Sequence, residues 1–188
     1  QWIRDELGLV ETSEETEALA AEAGEGPGPY LVPAFTGLGA PHWDAEARGA
    51  LTGLTRDAGR AEIVRATLAS VAYQTRDLVE AMGADAGTRP TVLRVDGGMA
   101  RNAWAMQFLA DQLDLPVERP TVTETTARGA ALLAGATVGF YGGGTAAPWE
   151  RDARWEPAMD AGRREELYEG WRRAVRRVLS GEGSAGGG

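Results

Sequence analysis

Apolar side chains recur at three- and four-residue spacing over several stretches of the chain. Between Glu62 and Met82 they are Ile63, Val64, Leu68, Val71, Ala72, Leu78, Val79 and Met82. That stripe predicts the longest helix, with one face buried in a core. Trp104, Phe108, Leu109 and Leu113 repeat the spacing in a helix from about Asn102 to Leu113, and Leu167, Trp171, Val175, Val178 and Leu179 do so between Arg163 and Ser180. Ser13 to Ala23 predicts a shorter helix with Ser13 as N-cap and Thr16-Glu17 in its first turn. Residues 1–9 read as helix with Trp2, Ile3 and Leu7 on one face, yet no capping residue precedes them. The chain therefore reads as starting inside a helix, and a fragment of a longer protein is expected. Thr126 to Gly139 is rich in Ala and Gly, including Ala127, Gly129, Ala130, Ala131, Ala134 and Gly135. Such small residues let a helix approach its neighbour closely, so packing against a sheet is expected.

Short apolar runs predict strands at Tyr30 to Phe35, Gly49 to Thr55, Val92 to Val95 and Pro116 to Arg119. Gly24 to Pro29, Thr36 to Asp44, Gly83 to Arg89 and Gly142 to Gly144 read as loops or turns, and Gly181 to Gly188 as a disordered Gly-rich tail. Strands and helices alternate through the middle of the chain, which predicts an α/β fold. In such sheets ligands collect beyond the C-terminal strand ends. Asp96-Gly97-Gly98, followed by Asn102, lies at such an end. Two glycines permit positive φ and leave no side chain to block a ligand. The first amides of the next helix lack partners and suit an anion such as phosphate. A plain tight turn is the alternative. Asp96 is expected to shape the turn by capping it through its own backbone rather than to act in chemistry.

With 188 residues the chain is long enough for one domain with a sizeable core, here read as residues 1–180. No apolar run approaches the length of a membrane span. The absence of Cys excludes disulfides and thiolate-bound zinc and makes the cytoplasm the default location. All 19 basic residues are Arg, and the net charge is −9. Lacking Lys, the chain has neither a Walker A phosphate loop nor a Schiff-base lysine. His42 is the single histidine, which rules out a multi-histidine metal site. An acidic chain is a poor nucleic-acid binder. The arginine pairs Arg163-Arg164, Arg172-Arg173 and Arg176-Arg177 stand beside Glu165, Glu166 and Glu169 and read as a solvated helix face.

Three stretches carry a family resemblance: "VPAFTGLGAPHWDAEARGALTGLTR" (Val32 to Arg56), "RATLASVAYQTRDLVEAM" (Arg65 to Met82) and "LRVDGGMARNAWAMQFLADQLDLPVERP" (Leu93 to Pro120). They resemble the C-terminal half of glycerol kinases, within the FGGY carbohydrate kinases, and the similarity runs from Gln1 to about Ser180. A family signature follows Gly49, Leu51, Gly53, Leu54, Glu62, Ile63, Ala66, Thr67 and Leu68, then departs at Ala69, where an acidic or amide residue is usual. That departure suggests a lost helix-surface contact or weaker support behind the cleft. His42 departs too, standing where Tyr is usual, and reads as a surface loop residue rather than a catalytic base.

The resemblance implies an actin-like, ribonuclease-H-like α/β domain with a central mixed sheet flanked by helices. It implies ATP-dependent phosphorylation of glycerol, with Mg2+, and a homo-oligomer in the full-length enzyme. By match of motif, Gly98 and Asn102 contact the adenosine portion of ATP or ADP, and Gln1 contacts it from the other side. The catalytic carboxylate and the glycerol-binding groups of the family lie in segments that precede this one, so no catalytic or metal-ligating residue is assigned here and the isolated chain is expected to be inactive. Two alternatives remain: a related FGGY kinase acting on a sugar such as xylulose or gluconate, and a non-catalytic nucleotide-binding or interaction module.

Overall fold

A computed structural model describes residues 1–24, 26, 28–140 and 149–182. The Gly142 to Gly144 loop and most of the Gly-rich tail lie outside these described residues. In chain order the elements are α1 (Trp2–Asp5), α2 (Glu15–Glu22), β1 (Tyr30–Val32), β2 (Ala50–Thr52), α3 (Arg60–Ala86), β3 (Leu93–Arg94) and a 3-10 turn (Gly98–Arg101). Then follow α4 (Ala103–Leu113), β4 (Val117–Pro120), α5 (Thr125–Thr137), β5 (Arg151–Trp155), α6 (Ala161–Arg176) and a last 3-10 turn (Ser180–Glu182). The α/β expectation is met. The sheet is mixed: β3 pairs parallel with β4, Leu93 opposite Val117, and β4 pairs antiparallel with β5, Val117 opposite Trp155. A separate antiparallel pair joins β1 to β2.

Helix α3 is the spine of the structure. Glu62 caps its start by accepting the Gly59 N–H at 2.9 Å. The helix runs four residues past Met82, through the start of the expected loop, and stops at Gly87, whose φ of 65° supplies the left-handed cap. Its apolar stripe is buried at Val64, Leu68 and Ala72, but Leu78 and Met82 stay exposed on the last turns. The core forms where α3 meets α4, α6 and β1. Tyr73 sits at its centre, stacked on Trp171 at 5.4 Å and edge-on to Phe108 at 5.5 Å between centroids. Each such aromatic pair contributes about 0.5–1.5 kcal/mol beyond area burial. Asp77 ties α3 to α6, accepting the Tyr168 hydroxyl at 2.5 Å and the Trp171 indole N–H at 2.8 Å. Ala69, where the sequence departs from the family signature, is buried in this core.

Several expectations are corrected. Residues 1–9 form a single short turn of helix, not a continuous one, and Leu7 is exposed. Helix α2 starts after Glu14, and Ser13 makes no side-chain cap. Strand β5 was not expected: its RDARW sequence has no apolar run, and it is held by ion pairs from Arg151 and Arg154 to Glu118 and from Arg119 to Asp152. Helix α5 does not pack against a sheet. None of its residues is buried, and Leu133 is 74% exposed. Small residues permit close packing without requiring it, and α5 remains half-buried at most along its length.

Candidate functional site

Gln1, Gly98 and Asn102 line one open cleft of about 540 Å³, between α1, α2, the first turns of α3 and the 3-10 turn that follows Asp96. Gln1 caps α1, its carbonyl accepting the Arg4 and Asp5 amides at 2.8 and 2.9 Å. Trp2 and Phe35 form an apolar edge, with ring centroids 5.0 Å apart. Met99, 42% exposed, lines the same cleft.

The glycine turn works differently from the expectation. Gly97 takes the positive φ, 80° with ψ −177°, and its N–H donates to the Thr123 carbonyl at 3.2 Å. Gly98 has no such dihedral, and a Cβ built on it meets nothing within 4 Å. No backbone strain and no steric neighbour within the protein demands a glycine there. The Asp96 carboxylate makes no hydrogen bond among the described residues, so it does not cap the turn; the Ala100 N–H donating to the Gly97 carbonyl at 3.2 Å closes it instead.

The N-terminus of α4 is not free for an anion. Asn102 Oδ1 accepts the Ala105 N–H at 2.8 Å, and a Glu17 carboxylate oxygen accepts the Ala103 N–H at 2.8 Å. Asn102 is thus the N-cap of α4. Its Nδ2 donates to Thr16 Oγ1 at 3.1 Å, and that hydroxyl donates to the Ser13 carbonyl at 2.5 Å. One Nδ2 hydrogen and one Oδ1 lone pair are left for a ligand. The amides of Gly98 and Met99, by contrast, have no intramolecular acceptor among the described residues.

The charges of the cleft are few. Arg4 donates to both oxygens of Asp5, at 2.6 and 3.2 Å. This hydrogen bonding raises the Arg4 pKa and lowers that of Asp5, so both stay charged and matched. Arg101 lines the cleft with no ion pair or hydrogen bond from its side chain among the described residues. Glu14 is the single carboxylate among the described lining residues. No group of three or more His, Asp or Glu among the described residues is placed to hold a metal ion. With Glu14 as the one described lining carboxylate, a Mg2+ ion here would be held mainly by nucleotide phosphates and water rather than by a protein cage.

His42 lies outside this cleft. It is an exposed residue of a turn, as expected, with its Nε2 3.9 Å from the Asp77 carboxylate. Arg172-Arg173 and Arg176-Arg177 match the solvated reading, with Arg172 and Arg176 paired to Glu169. Arg163-Arg164, in contrast, is half-buried: the Arg164 side chain is 13% exposed and pairs with Asp114, and Arg163 pairs with Glu166. Sequence reasoning missed Trp2, Phe35, Thr16 and Glu17 as cleft or cap residues. A sequence signal existed only for Glu17, an acidic first-turn residue, and it did not reveal which helix the carboxylate serves.

A family model described as the FGGY family of carbohydrate kinases, C-terminal domain, matches residues 1–138. A glycerol kinase of Rhodospirillum centenum is 59% identical over 183 residues, covering 96% of this chain and 36% of the relative. Glycerol kinase 1 of Pseudomonas aeruginosa is 58% identical over 182 residues, with 96% and 37% covered. Among solved structures, Plasmodium falciparum glycerol kinase with ADP superposes with a TM-score of 0.82 at 33% identity, covering 95% of this chain and 36% of that one. The xylulose kinase of Rhodospirillum rubrum gives a TM-score of 0.67 at 27% identity, with 87% and 33% covered. The chain thus spans little more than a third of the length of the relatives it matches. Among the described residues no helix is long and apolar enough to cross a membrane.

Proposed function

The chain belongs to the FGGY family of carbohydrate kinases, and from that premise we propose that it is the nucleotide-side domain, residues 1–180, of a cytoplasmic ATP-dependent glycerol kinase. The observation that carries this reading is the convergence of Gln1, Gly98 and Asn102 on one cleft. The resemblance picked these three by motif, from the start and the middle of the chain, and a shared ligand accounts for their meeting.

The chemistry of the cleft suits the adenosine part of ATP. Gly98 lets the ligand approach the backbone, whose free Gly98 and Met99 amides are donors. The Asn102 amide, oriented by its cap bond and by Thr16, keeps one donor and one acceptor. Trp2 and Phe35 offer an apolar edge to the base. Phosphoryl transfer from ATP to a hydroxyl depends on positioning, on neutralising phosphate charge and on a carboxylate that accepts the hydroxyl proton. This chain contributes positioning of the nucleotide. We assign the proton-accepting carboxylate, the glycerol-binding groups and any Mg2+ ligands to the remaining length of the full enzyme, since the cleft carries Glu14 alone among its described lining residues. Among solved structures the identity is 33% to a glycerol kinase and 27% to a xylulose kinase, and glycerol kinases of several organisms reach 53–59%, which supports glycerol over a sugar acceptor. Homo-oligomerisation of the full enzyme rests on the resemblance alone.

Two measurements test the reading. Calorimetry of ADP against the purified chain should give saturable one-to-one binding, and no heat at millimolar ADP would refute the nucleotide cleft. A coupled assay with ATP and glycerol should stay at background, and clear turnover by the chain alone would refute the division of labour.

A further inference from the structure

We propose that Arg101 is the residue through which this cleft reads the phosphate charge of its nucleotide. The inference rests on the nucleotide reading above and adds a specific determinant to it. The chain carries a net charge of −9, so a polyanionic ligand is repelled unless the cleft supplies local positive charge. Three sources are on offer, and two are already spent. The N-terminus of α4, whose dipole favours an anion, is taken by the Glu17 carboxylate at the Ala103 N–H, 2.8 Å away, and by the Asn102 cap. The guanidinium of Arg4 is bound through two hydrogen bonds to Asp5. Arg101 remains. It closes the 3-10 turn that begins at Gly98, precedes the Asn102 cap, lines the same cleft, and its exposed side chain has neither ion pair nor hydrogen bond among the described residues.

A guanidinium is permanently charged and presents planar donors that match phosphate oxygens. The turn holds its Cα in place through the Asn102 N–H to Met99 carbonyl bond at 3.0 Å, while the unpaired head group is free to swing to the ligand. Among the described residues its side chain makes no hydrogen bond or ion pair whose loss would weaken the fold, and it is exposed.

The test compares ADP, AMP and adenosine binding to the chain and to its Arg101→Ala and Arg101→Lys variants by calorimetry, at low and at 0.5 M salt. Arg101→Ala should melt like the parent. It should bind ADP about tenfold more weakly, a single charge-assisted contact, bind AMP with a smaller loss, and bind adenosine within about twofold of the parent. Arg101→Lys should recover most of the ADP affinity, and high salt should shrink the difference between parent and Arg101→Ala. An equal loss for adenosine would mean that the guanidinium serves the base or the turn, and would overturn the proposal. Unchanged ADP affinity in Arg101→Ala would overturn it as well. Either result leaves the nucleotide reading standing, whereas absence of binding by the parent chain overturns both together.

Discussion

Replacing Gly97 and Gly98 with Ala, one at a time, separates a requirement of the fold from a requirement of the cleft. Gly97 sits at φ 80°, ψ −177°, a region that L residues avoid, and holding Ala there costs about 1–3 kcal/mol. The stiffer unfolded chain returns about 0.4–1 kcal/mol. A net loss of about 1–2 kcal/mol lowers the Tm by roughly 2–8 °C for a domain of this size. No steric term is added, because a Cβ on Gly97 meets nothing within 4 Å. Gly98 also has open space around its Cβ, and its φ lies outside the left-handed region. Gly98→Ala should therefore leave the Tm unchanged or slightly higher.

Binding should reverse the ranking. Gly98→Val places a branched side chain into the space that an adenosine approaching the backbone must occupy. An overpacking penalty of about 1–3 kcal/mol weakens ADP binding by about 5- to 150-fold. Differential scanning fluorimetry and ADP calorimetry on Gly97→Ala, Gly98→Ala and Gly98→Val decide the matter. A Tm loss for Gly98→Ala equal to that for Gly97→Ala would refute the dihedral argument. ADP affinity unchanged in Gly98→Val would refute the placement of the ligand.

Gly170→Ala should lower the Tm although Ala is the better helix former by about 1 kcal/mol, because the new Cβ would overlap the Tyr30 phenol; a raised Tm, or no rescue by Tyr30→Leu, would contradict the close approach of α6 to β1. Glu118 is held below the usual carboxylate range by hydrogen bonds from Arg151 and Arg154. Its contribution is therefore complete above the ordinary Glu value of about 4.3 and drains away as pH falls through the lowered folded value. Glu118→Gln should flatten the loss of Tm on acidification below about pH 4.3, and parallel Tm–pH curves for parent and variant would argue against the pair. Leu133→Asp, normally disruptive in an apolar helix, should shift stability by no more than about 0.5 kcal/mol, since Leu133 is 74% exposed; a large loss of Tm would show that α5 packs against the body of the chain in solution.

The elements that sequence periodicity revealed are those whose burial is set by one broad apolar face. α3, α4 and α6 carry such faces, and Val64, Phe108 and Trp171 are buried as the spacing implies. β5 carries none: its residues are held by charges on β4, so RDARW looks like loop until the Glu118 and Arg119 partners are known. α5 fails in the opposite direction, because its small residues state only that close packing is permitted and not what arrives to use it.

The cleft divides along the same line. Gly98 and Asn102 were legible because one turn joins them, and backbone access and amide chemistry are properties of those residues alone. The occupant of the α4 N-terminus was not legible. It is Glu17, which reaches Ala103 across a sequence separation of 86 residues. An argument from helix dipoles that ignores that carboxylate assigns the phosphate to an end already neutralised. With α4 capped from within, the donors left to the ligand are the Gly98 and Met99 amides and one hydrogen of Asn102, which are neutral. Neutral donors orient a nucleoside but discriminate weakly between nucleoside and nucleotide, because each offers both forms the same contact. Under the proposed nucleotide reading, discrimination by charge has to come from a side chain, which is why the proposal rests on Arg101 rather than on the glycines that first marked the turn.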